Sequence, residues 1–206
     1  MAEAISLAKQ ANDLHGLAAS LSYAGFLAQC ERNLVEAERL ASNIIEMSTR
    51  HDFALWLARG KVLRGWSRSA SGNTEEGISW IKEGIEDTLA IGTRLMVPYM
   101  LALKAEALHL ADRTIEALEA INEADALVKY SEERWLCAEL HRLRGIFLAA
   151  IAGEELQIQT SLSAAIDTAK QQKSVSFARR AEATYAEYHR QKARVSGKQR
   201  LRLPLC

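Results

Sequence analysis

Gly25, Gly65, Ala105 and Gly145 stand forty residues apart, each near the middle of a helix-length apolar stretch. A second series keeps the same period: Glu36-Ala37, Glu76-Gly77 and Glu116-Ala117 place a small residue twelve positions after a member of the first. Two series in phase restrict the chain to a stack of similar supersecondary units. Such units bury their apolar faces against neighbours, because one helix pair alone has too little core.

Polar breaks divide each unit into two helices. In the unit around Gly65, a helical pattern from about Phe53 to Ala70 stops at Ser71-Gly72-Asn73, and Thr74 is placed to cap a helix opening with Glu75-Glu76. Gly92 suits a left-handed helix end. The next unit repeats the scheme from Met96 or Val97, with Pro98 in the first turn, where its missing donor costs little. Asp112-Arg113 breaks it, Thr114 is the expected cap, and the second helix reaches about Tyr130. A fourth pair opens after Ser131 with Glu132-Glu133 and breaks at Gly153. One inserted residue between Gly145 and Gly153 is expected to shift later landmarks to a spacing of forty-one.

This punctuation predicts a half unit over 3–12, helix pairs over 14–50, 53–91, 95–130 and 132–172, and a capping helix over 175–192 begun by Ser174. Arg179, Arg180, Glu182, Glu187 and Arg190 would form the outer face of that helix. Residues 195–206 are expected to be a basic, flexible tail. The front thus exposes half a unit while the back is closed. That asymmetry predicts the C-terminal part of a longer protein, or self-association through Ile5 and Leu7.

Composition agrees with an all-α fold. The 206 residues are 49% apolar and contain only two prolines, so long helices meet few breaks. Formal charge is zero but uneven: residues 190–206 hold six basic side chains and no acid, leaving 20 basic against 26 acidic residues elsewhere. A mildly acidic body argues against general nucleic-acid binding. The basic stretch lacks interleaved aromatics and reads as a solubilising tail. Cys30, Cys137 and Cys206 suggest neither a disulfide framework nor a CxxC metal site, and a reducing cytoplasm is the expected compartment. The N-terminus has no basic region ahead of an apolar stretch, and no window of eighteen residues is uninterruptedly apolar, so neither a secretory signal nor a membrane partner is expected.

The landmarks resemble tetratricopeptide repeats. That family places a small residue at the eighth position of the first helix, another twelve later, a large apolar residue four beyond it and a small one three further. Here the pattern runs Gly25, Ala37, Ala41, Ile44; Gly65, Gly77, Ile81, Gly84; Ala105, Ala117, Ile121, Ala124; and Gly145, Ile158, Leu162, Ala165. The usual period is about thirty-four residues. Armadillo and HEAT units have longer periods, but the Gly and Glu-Ala landmarks fit them less well. The segments 55–66, 71–78, 133–145 and 181–193 are also similar to repeats that follow an ATPase module in bacterial class III adenylate cyclases and large transcriptional regulators. No GxxxxGK[ST] loop is present; Ser196-Gly197-Lys198 lacks the rest of it.

The resemblance implies a right-handed α-solenoid of antiparallel helix pairs, about forty residues per unit. Its concave groove would be lined by Ala19, Ser22, Phe26 and Gln29; Arg59, Val62, Trp66 and Ser69; Tyr99, Ala102, Glu106 and His109; and Glu139, Arg142, Ile146 and Ala149. Arg59, Trp66, Tyr99, Glu106, His109, Glu139 and Arg142 are the candidate partner-binding residues, being of types suited to binding hot spots. Trp66 also suits the inter-helix core; Trp56, Trp80 and Trp135 read as packing residues. The family's buried leucine before each landmark is replaced by Ala24, Arg64, Lys104 and Arg144, while Tyr23, Leu63, Leu103 and Leu143 precede them. A buried stripe rotated by one residue would leave a basic ladder of Arg64, Arg68, Lys104 and Arg144. It could attract an acidic segment, or be a solvated face with local ion pairs.

Catalytic arrangements fail. His15, His51, His109, His141 and His189 are scattered, none lies in HExxH or beside a cysteine in a catalytic context, and Glu139 and His141 fall on different helix faces. The pairs Glu75-Glu76, Glu132-Glu133 and Glu154-Glu155 open helices, where negative charge suits the dipole. The expectation is a non-catalytic protein-interaction scaffold without cofactor or metal, binding a protein or peptide that could be a domain of its parent protein. A small-effector sensor controlling an upstream cyclase, ATPase or DNA-binding domain is the alternative.

Overall fold

The computed structural model describes residues 1–131, 133–195 and 199–205, and among these the regular structure is helical with no strand. The helices are α1 (Ala2–Gln10), α2 (Leu14–Cys30), α3 (Leu34–Arg50), α4 (Ala54–Ala70), α5 (Thr74–Ala90), α6 (Val97–Leu110), α7 (Thr114–Ser131), α8 (Cys137–Ala150), α9 (Glu155–Gln171) and α10 (Val175–Lys192); a 3-10 turn over Arg134–Leu136 precedes α8. The chain divides into two compact units, Met1–Leu110 and Ala111–Cys206. Within the first, each helix packs on the next, and α4 also touches both α2 and α6. Within the second, α7 to α10 pack in succession and α8 also meets α10.

The turns keep a stricter rhythm than the helices. Asn12, Arg32, Asp52, Gly72, Gly92 and Asp112, twenty residues apart, all have positive φ, and Ala152 stands forty after Asp112. Residue 132, the position between, lies outside the described residues. A left-handed residue just past a helix turns the chain so that the next amide reaches back to an unpaired carbonyl. Asp13, Asn33, Phe53 and Asn73 donate in this way to Ala8, Ala28, Ser48 and Arg68, each at 2.9 Å. Gly153 and Ser174 repeat the bond to Leu148 and Ala169. The next positive-φ residue, Lys173, comes twenty-one after Ala152. The extra residue therefore lies after Ala152 rather than between Gly145 and Gly153.

Several expected caps are corrected. Thr74 and Thr114 are first helical residues rather than caps, and Asn73 takes the position before α5. Ser131 closes α7 instead of opening the next helix, which follows the 3-10 turn. Glu132, expected to help open it, is outside the described residues. Ser174 precedes α10 without a side-chain bond. Asp13 caps α2 by accepting from the Gly16 amide at 2.8 Å, and Asn33 caps α3 by accepting from the Glu36 amide at 3.1 Å.

The rotated stripe is present. Leu63, Leu103 and Leu143 are buried, while Tyr23 is exposed. On α10, Arg180 does not join the expected outer face, because its guanidinium turns inward to Glu139 at 3.2 Å.

The flexible tail is a larger correction. Leu201 and Leu203 are buried, Arg202 and Pro204 are exposed, and the Leu201 amide donates to the Ala149 carbonyl at 2.9 Å. The alternation of leucine with polar or proline residues gives an extended segment one apolar edge to bury. Ser196, Gly197, Lys198 and Cys206 are outside the described residues.

Candidate functional site

The first unit contains an apolar cleft, with walls from α2, α3, α4 and the start of α6. Phe26, Val62, Leu63, Tyr99, Met100 and Leu103 are among its lining residues, and the cavity itself is about 30 Å³, room for a water-sized group beneath an open mouth. Phe26 and Tyr99 meet edge to face with ring centroids 5.2 Å apart. The Tyr99 hydroxyl donates to the Gln29 side-chain carbonyl at 3.0 Å. Burial pushes the Tyr99 phenol well above its ordinary range; nearby Cys30 and Glu106 add to this and Arg32 opposes it. The phenol is therefore a neutral donor at physiological pH.

Arg59 lines the same cleft. Its guanidinium carbon lies over the Trp56 ring, 5.0 Å from the centroid, and over the Tyr23 ring at 5.8 Å, so the π faces of both rings attract the cation. Its Nε is buried without a hydrogen-bond partner, and no carboxylate among the described residues pairs with it. A guanidinium engaged by ring faces still has its N–H donors to offer an anion. Trp56, expected only to pack, is thus part of the site. Nothing in its spacing distinguished it from the other tryptophans.

Trp66 and Glu106 lie beside this cleft but are core. Both are buried, and the indole N–H donates to Glu106 Oε2 at 3.2 Å. Arg32, in the left-handed turn between α2 and α3, binds both Glu106 oxygens, at 2.5 and 2.9 Å, and lies 5.7 Å from the Trp66 ring centroid. The network joins residues 74 positions apart in sequence. It satisfies a carboxylate that would be costly to bury alone, so these two candidates are not groove residues. His109 is half-buried at the end of α6.

In the second unit, Glu139 and Arg142 are also removed from the groove set. Arg142 is fully buried; its Nε and Nη2 bond Glu139 at 2.9 and 2.7 Å, and Nη1 reaches Thr184 at 3.2 Å. Its Nη2 also donates to the Leu205 carbonyl at 2.8 Å. Arg142 thus lies against the segment 199–205.

The basic ladder reads as ion pairs between helices. Arg64 donates to Ser42 at 2.8 Å, approaches Glu38 at 3.6 Å and lies 5.2 Å from the Trp80 ring centroid; Arg68 reaches the same Glu38 at 3.3 Å. Arg144 bonds Asp125 and, at 3.0 Å, Asn122. These cations are spent on the preceding helix, while Lys104 is half-buried on α6. No group of three or more His, Cys, Asp or Glu among the described residues is placed to hold a metal ion, and none of their helices is long and apolar enough to cross a membrane.

No family model matches the chain. An uncharacterized protein of Rhizobium meliloti (strain 1021) is 23% identical over 142 residues. The match covers 69% of this chain and 14% of that relative, so the chain corresponds to a small part of a much longer protein.

Proposed function

We propose that the chain is a non-catalytic protein-interaction scaffold of tetratricopeptide type, a right-handed solenoid of helix pairs whose first unit binds an acidic, apolar peptide. One observation carries this reading: Arg59 lies over the rings of Trp56 and Tyr23 at an apolar cleft, with no carboxylate of its own among the described residues. The complementary ligand brings a carboxylate to the Arg59 guanidinium and an apolar side chain to the accessible parts of Tyr23, Phe26 and Tyr99. Contacts of α4 with both α2 and α6 support the repeat geometry, since first helices of successive pairs line the inner face in such stacks. The buried carboxylates Glu106 and Glu139 are each locked by arginine, which favours a structural role over general acid or base work. The far greater length of the relative supports a regulatory segment of a larger bacterial signalling protein.

The test is selection from a random peptide library displayed against the purified chain. Recovered peptides are expected to share an aspartate or glutamate near leucine or phenylalanine. Arg59→Ala should then weaken binding by about tenfold or more. Selection that is indifferent to acidic residues would remove the proposed ligand chemistry. The small-effector reading draws on the same cleft: a saturable change in tryptophan fluorescence with a small apolar carboxylate, and none with acidic peptides, would favour it.

A further inference from the structure

We propose that the channel between α8 and α10 is a second peptide site, specific for an extended segment with leucines two residues apart, and that residues 199–205 are its built-in occupant, displaced by such a segment from another protein. The proposal uses other residues than the Arg59 cleft, lies in the other unit and does not depend on that reading.

The occupant is held as a ligand would be. The Leu201 amide donates to the Ala149 carbonyl at 2.9 Å, Gln191 Nε2 donates to the Arg202 carbonyl at 2.8 Å, and Arg142 Nη2 donates to the Leu205 carbonyl at 2.8 Å. All three bonds use the segment's backbone, so any extended chain could make them. Selectivity comes from the alternate side chains, with Leu201 and Leu203 buried and Arg202 and Pro204 outward. This division between main-chain anchoring and alternating pockets is that of extended-peptide recognition.

The geometry is consistent along the channel. Four extended steps from Leu201 to Leu205 span about 13 Å, while Ala149 and Arg142 are about 10 Å apart along α8. The segment therefore runs back along α8, from its C-terminal end toward its middle. Arg142 is prepared for the carbonyl: Glu139 and Thr184 fix its guanidinium, and Arg180 adds a second cation to Glu139. Each of these residues lies on α8 or α10, the helices that form the channel.

Covalent attachment gives the occupant a local concentration in the millimolar range, so a free peptide of equal affinity is largely excluded. A partner must either bind more tightly or meet a chain whose own segment is weakened. That competition makes the segment a latch.

The test uses a fluorescein-labelled peptide of residues 199–205 and the full chain, read by fluorescence polarisation. Leu201→Ser together with Leu203→Ser should undock the segment and raise affinity for the peptide at least tenfold over the unsubstituted chain. A peptide carrying the same two serines should not bind. Equal binding by both chains, or none by a folded variant with unchanged circular dichroism, would overturn the proposal. So would a dimer of the unsubstituted chain that the double substitution abolishes, which would assign the channel to a second copy. If the double variant unfolds, hydrogen exchange at the Leu201 amide of the unsubstituted chain decides: excess peptide should accelerate it, and an unchanged rate would refute displacement.

Discussion

A Cβ placed on Gly65 would fall 2.5 Å from the Gly77 carbonyl oxygen, and one on Gly77 would fall 2.4 Å from the Gly65 carbonyl oxygen. The two small-residue series therefore meet here, where backbone packs on backbone between α4 and α5. Gly65→Ala gains helix propensity of about 1 kcal/mol but forces the two helices apart, an overpacking cost of about 1–3 kcal/mol. Urea unfolding followed by circular dichroism should show a net loss. Gly145→Ala should also lose stability, because its Cβ would stand 2.5 Å from a Leu162 methyl carbon and 2.7 Å from its Cγ, so the leucine side chain must shift as a whole.

Arg142→Ala should cost about 3–5 kcal/mol, because it leaves Glu139 buried without the guanidinium that bonds both its oxygens. Replacing both, Glu139→Leu with Arg142→Met, should cost much less than that single change. Denaturant midpoints of the two variants check the order. Equal losses would mean that the pair does not carry the cost.

Glu38→Gln, which keeps an acceptor for the buried Ser67 hydroxyl, should lower stability by only about 1 kcal/mol or less, since the bridges from Glu38 to Arg64 and Arg68 are partly exposed. Thermal unfolding at low and high salt should show the difference from the unsubstituted chain shrinking as salt rises. A large, salt-independent loss would contradict the assignment of Arg64 and Arg68 to local ion pairs.

Two shifted groups set opposite pH limits. Burial lowers the His141 pKa, with Asp125 opposing and Arg144 and Lys129 assisting. Below about pH 6.5 the unfolded chain takes up this proton first, so stability should fall on acidification and His141→Gln should flatten that limb. The Tyr99 phenol is raised well above its ordinary value. Above about pH 10 the unfolded chain loses that proton first, so stability should fall as pH rises. Tyr99→Phe should remove this alkaline component. Chemical unfolding across the pH range checks both signs.

The helices were legible because their periodicity and breaks are local. Leu63, Leu103 and Leu143 even revealed the one-residue rotation of the buried stripe. The roles of the charged residues were not legible in the same way. Arg59, Arg64 and Arg142 are alike in sequence, yet one faces a cleft, one pairs with Glu38 and one is buried against Glu139. What separates them is a long-range partner, and residue type does not specify it. Residues 199–205 differ for another reason: their basic charge points to a solvated tail, while the alternation of Leu201 and Leu203 with Arg202 and Pro204 is what buries them.

The measurement closest to the central claim compares Arg59→Ala with Arg64→Ala for one selected acidic peptide, by isothermal titration. Arg59→Ala should weaken binding about tenfold or more, while Arg64→Ala, whose cation is already paired, should leave it within about twofold. Equal losses, or full affinity retained without the Arg59 guanidinium, would contradict the assignment of the cleft.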